Sequence, residues 1–325
     1  MTKQMIQATA VALNVHPIHV RLFLATFETA PPKDEDVVIS YKKFVADNPK
    51  PFVKWVGGKR QLVQQFKDLN LYPPYKFNPK TATYFEPFVG GGAMFFDLLP
   101  KRAVLSDMNL ELVTTYNVIK NDVSALIKKL KEHQKKNTKD YFLKVRALKV
   151  EKLSDVNRAA RFIYLNRTCF NGMYRVNSSG GFNVPYGDNK NPLICDEVNL
   201  LKARDAMKET IILHQDYKYV LDKAKKGDFI YFDPPYYPVN KTSSFTSYTK
   251  EGFLEQQQEE LRDTFLKLHK RGCYVMLSNS DTKFINDLYF ELDRKIKIKK
   301  VFAGRAINSN GANRGKIKEV VVVNY

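Results

Sequence analysis

The sequence predicts an α/β fold in which a doubly wound, mostly parallel sheet is covered by helices and interrupted by a mainly helical insert. Three observations predict it. From Pro51 onward, short β-type runs alternate with helical stretches, the order that lays helices over parallel strands. Between about Lys120 and Asp205 this alternation gives way to long lysine-rich helical stretches and a loop rich in Gly, Asn and Ser. Beyond that segment the α/β order resumes and closes on two further strand-like runs.

Taken in order, residues 1–48 form an N-terminal extension. MIQATAVALNVHPIHVRLFLATF reads as one or two short helices and APPKDED as the Pro-rich, charged break behind them. The helical pattern is compatible with a helix-turn-helix, but that motif is degenerate and a packing appendage is the simpler expectation. ATYFEP is strand-like and runs into FVGGGAMFFDLL, a glycine turn opening a helix; RAVLSD is a second short strand ending in an acid. VSALIKKLKEHQKK, YFLKVRALKVEKL and VNRAARFIYL are the helices of the insert, and NGMYRVNSSGGFNVPYGDN is its loop. TIILHQD and GDFIYF return to strands, LEQQQEELRDTFLKLHKRG is a helix and CYVMLSNSD a strand. KIKIKKVFA alternates as an antiparallel strand does, and EVVVVNY is a buried-strand run. The division is therefore residues 49–119 and 206–325 as one domain, with 120–205 inserted.

The chain carries 53 Lys and Arg against 34 Asp and Glu, a net charge of +19. Residues 120–205 hold 18 of the basic and 9 of the acidic residues, so about half of the excess falls in a quarter of the chain. A lysine-rich proteome would spread it evenly; concentration points to a groove for a polyanion, nucleic acid above all. Cys169, Cys195 and Cys273 lie far apart with no CxxC pair, which implies neither a disulfide framework nor a zinc site and fits a reducing, cytoplasmic setting. The apolar run Met5–Phe27 is broken by Asn14, His16, Pro17, His19 and Arg21 before signal or spanning length, so neither export nor a membrane span is expected. His16 and His19 have no third ligand nearby, and no metal is expected.

Gly90, Gly91 and Gly92 follow a strand and open a helix, where backbone N–H groups face a ligand and the absence of Cβ lets it approach. Asp107, at the end of the next strand, is placed to accept the hydroxyls of a ribose. GGG is neither GxGxxG nor a P-loop, so a dinucleotide cofactor is not indicated. Trp55 and Lys59 in FVKWVGGKRQL could face an adenosine ring and a ligand carboxylate, with a buried tryptophan as the plain alternative. The sharpest stretch is YFDPPYY. Asp233 to Tyr236 lie just beyond a central strand, where open α/β sheets bind ligands. An exocyclic amine on a base is a poor nucleophile because its lone pair is delocalised; two acceptors on its N–H groups, the Asp233 carboxylate and the Pro234 carbonyl, shift density back to nitrogen. Pro234 and Pro235 fix φ and remove competing donors, and Tyr236 offers a flat face to a base swung out of its duplex.

Residues 51–325 resemble the Dam-type DNA adenine-N6 methyltransferases. The resemblance rests on eight ordered motifs: FVKWVGGKRQL, FEPFVGGGAMFF, LSDMNLEL, YLNRTCFNGMYRVNSSGGFNVPYG, YFDPPYYP, FTSYTKEGF, LSNSD and INSNGANRGKIKEV. It implies a Rossmann-like class I methyltransferase fold with a seven-stranded sheet, S-adenosylmethionine as donor, S-adenosylhomocysteine as product, and the basic insert as target-recognition domain. By the same likeness Trp55, Gly58, Lys59, Glu86, Pro87, Phe88, Gly90, Gly92, Asp107, Asp216 and Asp233 belong to the donor site. Asp233, Pro234, Pro235 and Tyr236 hold the target base. Lys54, Arg167, Phe170, Asn171, Met173, Arg175 and Pro185 face double-stranded DNA. Phe170 suits a wedge in the base stack, Arg175 a bidentate pair to guanine, and Met173 and Pro185 a thymine methyl. That order of aromatic, apolar, arginine and proline implies GATC, with Lys54 at the outer guanine. The acceptor geometry alone also fits an RNA adenine or a protein glutamine, and a non-catalytic DNA-binding relative is the alternative from another class.

Overall fold

The structure, a computed structural model, describes residues 48–239, 253–304 and 316–325. The N-terminal helices and their helix-turn-helix reading, the FTSYTKEGF motif apart from Phe253, and residues 307–315 of the last motif lie outside the described residues.

Among the described residues, seven strands form one sheet: β1 (Thr83–Glu86), β2 (Arg102–Ser106), β3 (Thr210–Leu213), β4 (Phe229–Phe232), β5 (Tyr274–Ser280), β6 (Lys297–Gly304) and β7 (Lys316–Val323). Their order is β3-β2-β1-β4-β5-β7-β6. The pairings from β3 through β5 are parallel; β7 runs antiparallel to both β5 and β6. The chain moves outward from β1 to β3, then returns to lay β4 on the other side of β1. The C-terminal ends of β1 and β4 thus flank the point where strand order reverses, the crevice in which open sheets bind ligands.

The apolar runs seen in the sequence have two-sided burial as their cause. Tyr84, Phe229, Tyr231, Met276, Val321 and Val323 enter one core, while Phe85, Ile230, Phe232, Val275, Leu277, Val320 and Val322 enter the other. Alternate residues of each central strand therefore meet opposite apolar layers, and no polar face is left to alternate.

The helices are α1 (Arg60–Asp68), α2 (Ala93–Leu98), α3 (Leu110–Lys136), α4 (Lys139–Arg146), α5 (Asp155–Thr168), α6 (Glu197–Ala206), α7 (Val220–Lys223), α8 (Glu255–Arg271) and α9 (Lys283–Tyr289). Side-chain caps set several starts: Asn109, Thr138, Ser154, Asp196 and Thr282 each accept a backbone N–H of the first turn. Gly272, at φ 83°, ends α8 in the left-handed conformation. Within the helical segment between β2 and β3, α3 packs on α5 and α6. Its apolar side chains join the core on the α1 and α2 face of the sheet without a break. The expected boundary at residue 120 falls inside α3, two residues before a kink at Asp122 (φ -146°, ψ 44°) that divides its 27 residues into two helical segments. The buried residues Leu112, Val113, Tyr116 and Ile119 lie before the kink and Val123, Leu126 and Leu130 after it, so both segments keep an apolar face.

Candidate active site

Four chain segments converge at the C-terminal ends of β1, β2 and β4. β4 ends at Phe232, and Asp233, Pro234, Pro235 and Tyr236 follow directly as the loop beyond it. This loop is fixed by side chains from its neighbours. The Gln258 amide, on α8, donates to the Pro235 carbonyl at 3.1 Å and accepts from Asn279 of β5 at 2.9 Å. Asn279 in turn accepts the Tyr237 N–H at 3.1 Å, and the Ser280 hydroxyl donates to the Tyr237 carbonyl at 2.7 Å. The Tyr236 hydroxyl donates to Glu319 at 2.8 Å. Gln258 and Asn279 are fully buried, so each unmade bond would leave an amide without water or partner, and the loop is specified by that cost.

Lys59 immediately precedes α1, and its side chain is buried. Its ammonium lies 2.8 Å from an Asp233 carboxylate oxygen, donates to the Gly57 carbonyl and stands 4.8 Å from the centroid of the Tyr236 ring. Burial pushes the Asp233 carboxyl up to about 6; Lys59 pulls it down and Glu319 adds to the rise. Lys59, expected to meet a ligand carboxylate, thus meets the acid of this loop. Glu86, at the end of β1, accepts from the Tyr84 hydroxyl at 2.9 Å and from the Phe95 N–H at 3.1 Å. Burial raises it to about 8, so it retains its proton near neutrality.

Asp107 follows β2 and accepts the N–H groups of Gly90 at 3.1 Å and Asn109 at 2.9 Å. Those bonds counter the upward push of burial on its carboxyl. They also tie the glycine turn to the neighbouring strand. The turn needs glycine for reasons visible at two positions. Gly90 has φ 46°, and a Cβ there would stand 2.5 Å from the Trp55 indole; Gly92 has φ 69°, and its Cβ would meet the Tyr116 hydroxyl at 2.6 Å. Trp55 therefore lies directly on the turn. It also stacks on Tyr174 at 5.9 Å and lies 6.4 Å from Phe162. Pro87 is buried beside Glu86; Phe88 stacks on Tyr217 at 5.4 Å, and the adjacent Asp216 is exposed beyond β3, where it caps a short 3-10 turn. Gly58 closes the turn before α1 by donating to the Trp55 carbonyl at 3.1 Å.

The residues expected at DNA gather on a hairpin-like loop after α5. Phe170 N–H donates to the Pro185 carbonyl at 2.9 Å, Gly187 N–H to Thr168 at 2.9 Å, and Asn183 N–H to Arg175 at 3.0 Å. Phe170, Asn171, Arg175 and Pro185 are exposed, and Met173 is half-buried. The Arg175 guanidinium donates to the Asn183 side chain at 2.7 Å, which aims it without covering it. Lys54 is brought to the same loop because Asn166 bridges its backbone to Gly172, and Gly172 packs on the Lys54 side chain. Arg167 stands apart: half-buried, it donates to the Phe52 carbonyl at 2.8 Å. Gln258, Asn279, Ser280 and Glu319 went unassigned in the sequence. The run LSNSD was the one signal that could have found two of them, since polar residues closing a buried strand need a purpose.

Among the described residues, no group of His, Cys, Asp and Glu could hold a metal ion, and no helix is long and apolar enough to cross a membrane. An anchored Asp-Pro-Pro-Tyr loop at the edge that carries the glycine turn, with Trp55 linking that turn to a hairpin bearing exposed Phe and Arg side chains, fits a group-transfer enzyme that works on nucleic acid. Similarity to known proteins makes this specific. Residues 55–307 match the model of the D12 class N6 adenine-specific DNA methyltransferases, and the chain belongs to that family. It is 43% identical over 284 residues to the type II methyltransferase M1.LlaDCHI of Lactococcus lactis subsp. cremoris, covering 86% of this chain and 96% of that one. It is 44% identical over 291 residues to the type II methyltransferase M.MjaIII of Methanocaldococcus jannaschii, covering 85% and 99%. The DNA adenine methylase of Escherichia coli K12 is 30% identical over 274 residues, 84% and 94% of the two chains. The protein is an adenine-specific DNA methyltransferase, and among the alternatives open from sequence the family selects DNA adenine.

Proposed function

We propose that the protein transfers a methyl group from S-adenosylmethionine to N6 of an adenine extruded from double-stranded DNA, within the sequence GATC. The observation that carries this is the placement of Asp233 and Tyr236 at the crevice between β1 and β4, with the donor-side Lys59 bound to the acid. Glu86, Asp107 and Asp233 close three adjacent parallel strands, and each carboxyl keeps acceptor capacity beyond the bonds it makes. That set suits a ligand bearing a ribose diol and an ammonium group, whose charge would draw off the Glu86 proton on binding. Trp55, Gly58, Lys59, Glu86, Pro87, Phe88, Gly90, Gly92, Asp107 and Asp216 would hold it. When bound, the donor supplies an electrophilic methyl group and leaves as S-adenosylhomocysteine.

The chain's own part is to prepare the nucleophile. The Asp233 carboxylate accepts one N–H of the adenine amine and the Pro234 carbonyl accepts the other, restoring lone-pair density at N6. The Gln258 amide donates to Pro235 rather than Pro234, so the peptide is fixed without occupying the acceptor that the base needs. Once methylated, the nitrogen sheds a proton, and Asp233 is the base beside it.

Residues 120–205 serve as the target-recognition unit, and the GATC reading rests on Phe170, Met173, Arg175 and Pro185 with Lys54 beside them. Relatives named DNA adenine methylase support adenine chemistry, as in Vibrio cholerae at 34% identity over 275 residues. Expression in cells lacking adenine methylation tests both parts: plasmid DNA should become resistant to nucleases blocked by methylated GATC and sensitive to those requiring it. Methyl groups at another sequence would end the GATC assignment. Arg175→Ala should relax discrimination at one guanine by about 1–3 kcal/mol, read by competition between matched and substituted duplexes; unchanged preference would remove Arg175 from readout.

A further inference from the structure

We propose that Glu319 is a positioning residue for the target base: its carboxylate anchors the Tyr236 hydroxyl and so fixes the ring against which the extruded adenine stacks. The inference rests on the proposed function, in which Tyr236 provides that face.

It begins with the direction of β7. Because β7 runs antiparallel between β5 and β6, its early residues reach the edge at which β1, β2, β4 and β5 end. Glu319 pairs in register with Ser280, the last residue of β5. Behind it Val320 to Val323 are buried, so the carboxylate emerges where the apolar run gives way to the catalytic edge. There its Oε2 accepts the Tyr236 hydroxyl at 2.8 Å. The backbone on either side of that ring is already tied at Pro235 and Tyr237. Tyr236 is thus held both at its root and at its phenol tip, and any rotamer change breaks a hydrogen bond to a carboxylate, one of the stronger kinds. A ring held at its root alone would present its face for only part of the time, and a base stacked on it would meet Asp233 and Pro234 less often in reactive geometry. Lys59, over the same ring and paired with Asp233, shows how closely the ring and the acid are coupled.

The test is a cycle of variants assayed for methylation of a duplex target. Tyr236→Phe removes the hydroxyl and keeps the ring; Glu319→Leu removes the acceptor. Each should lower kcat by about ten- to a hundredfold, the effect of losing one hydrogen bond to a charged group. The double variant should fall no further than the worse single one, because both cut the same bond. Glu319→Gln, whose amide oxygen still accepts, should recover most of the loss. A duplex carrying 2-aminopurine at the target position adds a readout that a general loss of stability does not mimic. Its emission should rise on binding to every variant and should be brighter with Tyr236→Phe and Glu319→Leu than with the unaltered protein, since a loosened ring quenches less. Multiplicative effects of the two single changes, or full turnover by Tyr236→Phe, overturn the proposal. The second outcome decides alone if Glu319→Leu does not fold. If the unaltered protein neither brightens 2-aminopurine nor methylates adenine, the reading of function fails and takes this inference with it.

Discussion

Replacing Asp233 by alanine should abolish methyl transfer, by at least about a thousandfold in kcat, while binding to duplex DNA survives. In the proposed function the carboxylate is the charged acceptor for the target amine, and no described side chain stands in the same place. Of the residues proposed to face DNA, Phe170, Arg175 and Pro185 sit on the hairpin after α5, closed by its own backbone bonds, and Lys54 is tied to that hairpin through Asn166, so their contacts should not depend on the acid. The substitution also leaves the buried Lys59 ammonium without its counter-charge, which lowers stability. Asp233→Asn also removes the counter-charge but keeps the shape and an oxygen that can accept from Lys59, so it limits that loss, and thermal melting of both variants measures what remains. Labelled-methyl incorporation and a gel-shift assay read the two functions; loss of both together in the Asn variant would reduce Asp233 to a folding role. The same acid predicts the pH profile. The active form is the carboxylate, so kcat/KM for the free enzyme should decline below about pH 6, the value to which burial raises this group. Lys59 holds the carboxyl down, so Lys59→Met should move that acid limb to higher pH. A limb near the ordinary aspartate range would show the group to be hydrated.

Gly90→Ala should lower stability by about 1–3 kcal/mol and raise the KM for the methyl donor several-fold. Two costs combine. The backbone sits at φ 46°, a region that residues with a Cβ rarely occupy, and the new Cβ would stand 2.5 and 2.7 Å from two atoms of the indole. Trp55 must move, and it is stacked on Tyr174, whose hydroxyl bonds to Glu111 at 2.9 Å. Gly90 N–H is also the donor that holds Asp107. Gly180→Ala is the control: φ 78° with nothing within 4 Å of the added atom, so the backbone cost appears alone. Thermal melting and donor saturation curves measure the pair; equal losses at both positions would show that crowding by Trp55 contributes nothing.

Much of the fold could be read from residues because its cause is local. Strands such as FIYF are apolar throughout since both faces are buried, and the helix starts carry capping side chains beside apolar periodicity. The Asp-Pro-Pro-Tyr loop could be placed for the same reason: a buried strand must end, and the residues after it lie at the sheet edge. The contacts that escaped depend on residues brought together from afar. Lys59 and Asp233 are ion-paired across most of the sheet domain, and no spacing announces it. Glu319 reaches Tyr236 only because β7 is inserted antiparallel between β5 and β6, an order that strand patterns do not encode. Trp55 was open between a ligand face and a core residue; it is half-buried against the core and bridges the glycine turn to Tyr174, contacts that no spacing announces. Arg167 carried the charge expected of a DNA contact; its hydrogen bond to the Phe52 carbonyl is a further long-range contact that no spacing announces.

The kink in α3 bears on how target preference can diverge among relatives. Asp122 ends the stretch that, through Tyr116, braces the Gly90 carbonyl at 3.1 Å. A cassette joined at that bend would leave the brace with the sheet, and a smaller graft from Thr168 to Gly187 would carry the hairpin alone, closed at its base by the amides of Gly187 and Phe170. Either seam would admit a new specificity while the sheet edge stays uncut.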